Sequence, residues 1–274
     1  MALPVAVQVY SVREDAEKDL AATLRKIKEI GYDGIELAGL YGYAPEYIKG
    51  LCDALELVPI SAHIPLQEMI EDPDATFAAY AKIGIKFAAV PYVTEERRPG
   101  AEKFTETIAD IARIGAIAKK YGIQLLYHNH DFEFVKVDGE YGLDVLYKEV
   151  SPEYLQTELD TCWVNIGGEV PAEYIAKYTG RAPVVHLKDF YLSGKPTGTL
   201  YALIGLDEEE KEEEKSTFEF RPVGHGMQDM PAILDASVKA GAGWVVVEQD
   251  EPSMGLTRMQ SITASREYLR SLGW

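Results

Sequence analysis

Eight times along the chain, a short apolar run is followed by a segment with apolar residues at helical spacing, and this alternation restricts the fold more than any other feature. The runs are Val5–Tyr10, Gly34–Ala38, Val58–His63, Phe87–Tyr92, Gln124–His130, Leu155–Asp160, Pro183–Asp189 and Trp244–Gln249. Between and after them, spacing predicts helices over Leu20–Ile30, Pro45–Leu55, Ala75–Lys82, Lys103–Tyr121, Gly142–Val150, Pro171–Tyr178, Pro231–Ala240 and Arg258–Leu269. Gly31 and Gly122 stand where helix C-caps are expected, and Pro171 suits a first helical turn. Apolar strands alternating with helices imply a parallel sheet covered on its outer face. Eight such units in 274 residues fit an α/β chain folded as a (β/α)8 barrel. An open doubly wound sheet would usually carry a glycine-rich turn after an early strand, and the first strand here runs into Gln8–Arg13 without one. No gap suggests a linker, so residues 1–274 are expected to form a single barrel domain, with a polar insertion around 193–222.

The chain is 47% hydrophobic, enough for a sizeable core. Its net charge of -18 argues against nucleic acid or anionic membrane partners. Part of that charge sits in Asp207–Glu214, DEEEKEEE, which reads as a solvated face. No apolar stretch reaches the ~20 residues of a membrane span. The N-terminus lacks a basic segment before its apolar residues, and two cysteines cannot build a disulfide framework. A cytoplasmic location is the expectation. Cys52 reads as a core residue and Cys162 as a small residue after a strand.

The chemically capable residues collect at the C-terminal ends of the expected strands, the face on which such barrels build active sites. His63 ends the third, His128 and His130 the fifth, Glu158 and Asp160 the sixth. His186, Lys188 and Asp189 end the seventh, and Glu248 and Asp250 the eighth. Taken singly, each has an ordinary structural role open to it: Asp160 could cap the next turn, and Lys188 could pair with Asp189 or Asp160. Converging on one mouth, so many acids would repel one another without a cation. Oxygen ligands with imidazole suit one divalent metal ion, such as Mn, Co, Zn, Mg or Fe.

These residues carry a resemblance along nearly the whole chain. Gln8–Ser11, Gly31–Glu36, Tyr127–Phe134, Leu159–Thr161, Val185–Asp189 and Val247–Asp250 together resemble the xylose-isomerase-like TIM barrel superfamily, the sugar phosphate isomerase/epimerase family. The resemblance implies one divalent metal bound from the fifth to eighth strands, with Asp160, His186 and Glu248 as three ligands. At the fifth strand many relatives read Glu-Asn-His, whereas this chain reads His128-Asn129-His130. Glu133 is favoured over His128 as the fourth ligand, because it keeps a set of three carboxylates and one imidazole. Trp163 stands where ketose epimerases of the superfamily carry a histidine, and it could stack on a sugar ring. His225 stands at a Gly-Glu-Gly turn of many relatives and could face the pocket.

The expected activity is isomerisation or epimerisation of a sugar or keto-sugar, a small-molecule carbohydrate. A base removes the proton next to a carbonyl, and the enediolate is stabilised electrostatically. Glu133 and Glu248 are the candidate proton carriers, with His128 or His130 able to replace one of them. Lys188 could hold the developing oxyanion, and Tyr10, His63, Trp163 and His225 are expected to contact substrate. The alternatives are a dehydratase or lyase acting on an inosose or 3-keto-glycoside, and a non-catalytic sugar-binding barrel. No phosphate-binding signature is present. The long polar segment could be a lid or a dimer contact, so a homo-oligomer stays open.

Overall fold

The computed structural model describes residues 2–194 and 217–274. The acidic run Asp207–Glu214 and most of the expected insertion lie outside the described residues. Eight parallel strands close into a barrel: β1 Val5–Gln8, β2 Gly34–Ala38, β3 Val58–His63, β4 Phe87–Val90, β5 Gln124–His128, β6 Gln156–Asp160, β7 Val184–Leu187 and β8 Trp244–Val247. Each pairs with its neighbours in sequence, and β1 closes the ring against β8 with Val5 opposite Val245. The observed strands stop earlier than the apolar runs at several mouths. In β5 the ladder ends at His128, so Asn129 and His130 already belong to the loop. In the seventh unit the barrel strand ends at Leu187, and Asp189–Ser193 pairs instead with Thr217–Arg221 in an antiparallel ribbon.

Strand side chains alternate across the sheet, and the barrel uses the two faces differently. Outward residues such as Val5, Val7, Ile35 and Leu37 pack under the helices. The helix Leu20–Ile30 supplies Leu20, Leu24 and Ile27 on one stripe and ends at Gly31, whose φ of 93° is open to glycine at little cost. Inward, Ala6, Ile60, Ala89, Leu126, Val184 and Val246 fill the lower barrel as an apolar plug. Gly34 belongs to the tight rim of this plug, since a Cβ there would lie 2.6 Å from the Val58 carbonyl oxygen. Above the plug the next inward positions on β1, β2, β5, β6 and β7 turn polar, beginning with Gln8 opposite Glu36 and His128 opposite Glu158, while Ala38 at the end of β2 stays apolar at the cavity wall.

Candidate active site

The polar layers form two tiers. In the upper tier, Asp160 at the end of β6 lies opposite His186 on β7 in the strand register. Asp160 also caps the helix Thr161–Ile166: its Oδ1 accepts from the backbone N–H groups of Cys162 and Trp163. That leaves Oδ2 aimed at the barrel axis, 3.5 Å from His128 Nε2 and 3.3 Å from Lys188 Nζ. Glu248 Oε2 lies 3.1 Å from His186 Nδ1 and 3.7 Å from His128 Nε2. Ligand atoms of His128, Asp160, His186 and Glu248 all fall within 4.8 Å of one another, and all four residues are buried. Lys188 Nζ bridges Asp160, Glu248 and Asp250, the last at 2.9 Å.

The lower tier joins strands that are far apart in sequence. Glu158 Oε1 accepts from His63 Nε2 at 2.7 Å and contacts His128 Nδ1 at 3.2 Å and His186 Nε2 at 3.2 Å. Glu36 Oε2 accepts from Gln8 Nε2 and lies 2.7 Å from His186 Nε2. A second set of potential ligands, His63, His128, Glu158 and His186, therefore shares two imidazoles with the first.

Burial and charge set the protonation states. Burial works against the charge of Glu248, yet Lys188 and His186 hold it well below the usual carboxylate range. Burial pushes Asp160 up to about 6 against the pull of Lys188. Burial also opposes charging Lys188, but Asp250, Glu248 and Asp160 keep it firmly an ammonium. His128 and His130 are held neutral, first by burial and then by nearby cationic groups. For His63, burial is outweighed by Glu36 and Glu158, which raise it to about 10.

A divalent cation fits the upper tier on these observations. Two buried carboxylates converge within 4.8 Å of the two imidazoles, Asp160 Oδ2 takes no hydrogen bond among the described residues although the Lys188 ammonium lies 3.3 Å away, and His128 offers a neutral ring nitrogen. Carboxylate with imidazole is a donor set for a borderline or hard divalent ion.

Above the tiers opens a cavity of about 540 Å³ lined by Tyr10, Arg13, His63, Glu68, Tyr92, His128, His130, Lys188, Glu248, Asp250 and Glu251. Tyr10 and His63 thus stand where contact with substrate is expected. His130 reaches the same cavity with its ring stacked on Phe132, the centroids 5.3 Å apart.

Three expectations are corrected. Glu133 does not turn back over the mouth. The 3-10 turn Phe132–Phe134 folds it against Tyr127, whose side chain leaves β5 on the face away from the barrel interior, so that Oε1 accepts from Tyr127 Oη and Oε2 from the His130 backbone N–H, both at 2.7 Å. With both oxygens taken and the side chain buried, Glu133 lines no part of the cavity, and it is His128 that stands beside Asp160. Trp163 is fully buried against Cys162, Phe190 and Phe220, so it floors the ribbon rather than offering a face to a sugar. His225 is exposed and lies off the cavity, because its loop is anchored by Asp189, which accepts from the backbone N–H groups of Gly224, Gly226 and Gln228.

Sequence reading missed the roles of Glu36 and Arg13. A glutamate at an inward position of the apolar strand Gly34–Ala38 was the available signal for Glu36. Arg13 follows the first strand, and its guanidinium lies 4.2 Å from the Tyr10 ring centroid at the cavity rim. Cys52 is buried, as expected of a core residue, and Cys162, just after β6, is buried as well.

Barrel, polar mouth and buried imidazole–carboxylate cluster together define a (β/α)8 protein whose buried titratable residues gather at the C-terminal face. The chain belongs to the xylose isomerase-like TIM barrel family, whose model matches residues 24–272. It is 23% identical over 265 residues to an inosose dehydratase from Lacticaseibacillus casei, covering 87% of this chain and 85% of that one. A sugar phosphate isomerase/epimerase from Parabacteroides distasonis superposes with a TM-score of 0.78 at 21% identity, over 99% of this chain and 94% of that one. The IOLI protein with a bound zinc atom superposes with a TM-score of 0.71 at 17% identity, over 98% of each chain. Among the described residues, no helix is long and apolar enough to cross a membrane.

Proposed function

We propose that this chain is a divalent-metal-dependent enzyme that removes the proton next to the carbonyl of a sugar- or inosose-type ketone and then expels the β-oxygen, making it a dehydratase or lyase. The observation that carries this reading is a neutral imidazole, His130, lining the same cavity as an ammonium, Lys188, above the upper tier. The tier's His128, Asp160, His186 and Glu248 would hold the cation, which supplies Lewis-acid polarisation of the carbonyl. His130 takes the proton from the carbon next to the carbonyl, and the C–H electron pair forms the enolate. Lys188 stabilises the developing negative charge through its ammonium. The enolate pair then forms the carbon–carbon double bond as the β C–O bond breaks. The departing oxygen leaves with that bond's electrons and takes a proton from Lys188 or protonated His130, giving water or an alcohol.

Likeness to an inosose dehydratase along most of both chains supports elimination. A second reading, isomerisation or epimerisation, shares the first step and is supported by the sugar phosphate isomerase/epimerase fold neighbour. In that case the enolate is reprotonated and no bond to oxygen breaks.

The test is incubation of the metal-loaded protein in D2O with an inosose, a 3-keto-glycoside and ketohexoses, followed by mass spectrometry and NMR. Loss of water or of the aglycone is the expected result. Solvent deuterium with the substrate formula retained would select the second reading. No exchange in any ketone at full metal occupancy would refute both. Asp160→Ala should lose the ion, and retention of a stoichiometric ion would refute the assigned tier.

A further inference from the structure

We infer that Glu158 is a positioning residue: its carboxylate accepts a hydrogen bond from the Nδ1–H of His128, which leaves Nε2 as the nitrogen that presents a lone pair to the upper tier. The inference rests on the metal reading above. His128 spans the two tiers edge-on. Its Nδ1 is hydrogen-bonded to Glu158 Oε1 at 3.2 Å, and its Nε2 lies 3.5 Å from Asp160 Oδ2 and 3.7 Å from Glu248 Oε2. A neutral imidazole has one protonated and one unprotonated nitrogen, so an acceptor fixed on one side decides which nitrogen can ligate. Without an acceptor below, the tautomer with the proton on Nε2 would point a donor at the cation position.

The rest of the lower tier keeps Glu158 in place. Glu158 and Asp160 are two residues apart on β6, so both point inward and Glu158 sits one layer deeper. His63 crosses from β3 to donate to Glu158 Oε1 at 2.7 Å, and its ring lies edge-on to His128 with centroids 4.9 Å apart. His128 and His186 rings are likewise packed together, with centroids 4.6 Å apart. The imidazole is thus fixed in position by ring packing and in tautomer by the carboxylate below. Glu158 touches no atom that lines the cavity except through these rings, so it acts through His128 and not on substrate.

The same geometry admits a rival occupant of the lower tier, a second ion among His63, His128, Glu158 and His186, and the experiment separates the two. Wild type and Glu158→Gln are titrated with Co2+, Mn2+ and Zn2+ by competition with a chelator, bound ion is counted by elemental analysis, and the Co2+ visible spectrum is recorded. Glutamine keeps the shape but offers a weaker, uncharged acceptor. The expected result is one ion per chain in both proteins, a dissociation constant raised about 10- to 100-fold in the variant, and a shifted Co2+ band with unchanged far-UV circular dichroism. Should Glu158→Gln not fold, Glu158→Asp, which withdraws the carboxylate by one methylene, is read by the same three measurements. Wild-type affinity and spectrum in the folded variant would overturn the inference while leaving the metal reading intact. Two ions per chain in wild type and one in the variant would also overturn it, in favour of the second ion. No ion in wild type would overturn the metal reading and the inference together.

Discussion

Replacing Glu133 with glutamine should leave metal uptake intact and stabilise the protein at neutral pH. Burial raises the Glu133 carboxyl from 4.5 to about 8, despite the hydrogen bonds it accepts from Tyr127 and the His130 backbone. In the unfolded chain the same group ionises near its ordinary value. A folded-state pKa raised in this way gives a contribution that is fully present below the unfolded value and is lost as pH climbs towards the folded one. At pH 7 the mismatch spans about 2.5 pK units, so ionisation in the unfolded state costs the native state about 3 kcal/mol relative to acid conditions. Glutamine removes that term. Its amide can donate to Tyr127 Oη while its carbonyl accepts from His130 N–H, so both buried contacts survive. Urea unfolding at several values from pH 5 to 8 should show wild type losing stability relative to Glu133→Gln by roughly 1.4 kcal/mol per pH unit. Bound metal should be the same in both proteins. Parallel pH profiles would refute the buried neutral carboxyl. Loss of metal in Glu133→Gln with retention in His128→Gln would return the ligand role to Glu133.

Three further outcomes follow from the geometry. Trp163→Ala should cost about 3–5 kcal/mol in urea unfolding, because the indole is enclosed by Cys162, Phe190 and Phe220; a cost near zero would contradict that enclosure. His225→Ala should leave kcat and KM for the assigned substrate unchanged, since the side chain is exposed and off the cavity, and a drop in kcat would bring it back to the site. Metal affinity should fall as pH drops through about 6, where the buried Asp160 carboxyl gains its proton and competes with the ion; a flat profile in calorimetric titration from pH 5 to 8 would refute that competition.

Much of the barrel could be read from the chain because its signals are local. Short apolar runs and helical stripes recur eight times, and Gly31 ends the helix Leu20–Ile30 as its position implied. Strand ends then marked His63, His128, Asp160, His186, Lys188 and Glu248 as residues of one mouth. In the structure Glu158 and Asp160, two residues apart on β6, share one face. Parity stopped helping where the ladder stopped. Glu133 lies beyond β5, and only the 3-10 turn that packs it under Tyr127 decided that it faces away from the mouth.

What the sequence determined by itself was therefore the architecture and the roster of polar strand ends, since both follow from spacing over a few residues. The tertiary structure alone decided how those residues are partnered. Barrel closure brings Glu36 to His186 and His63 to Glu158, pairs separated by far more residues than any local period can relate. It also divides one crowd of acids and imidazoles into two tiers, because each strand adds its next inward side chain one layer higher along the barrel axis.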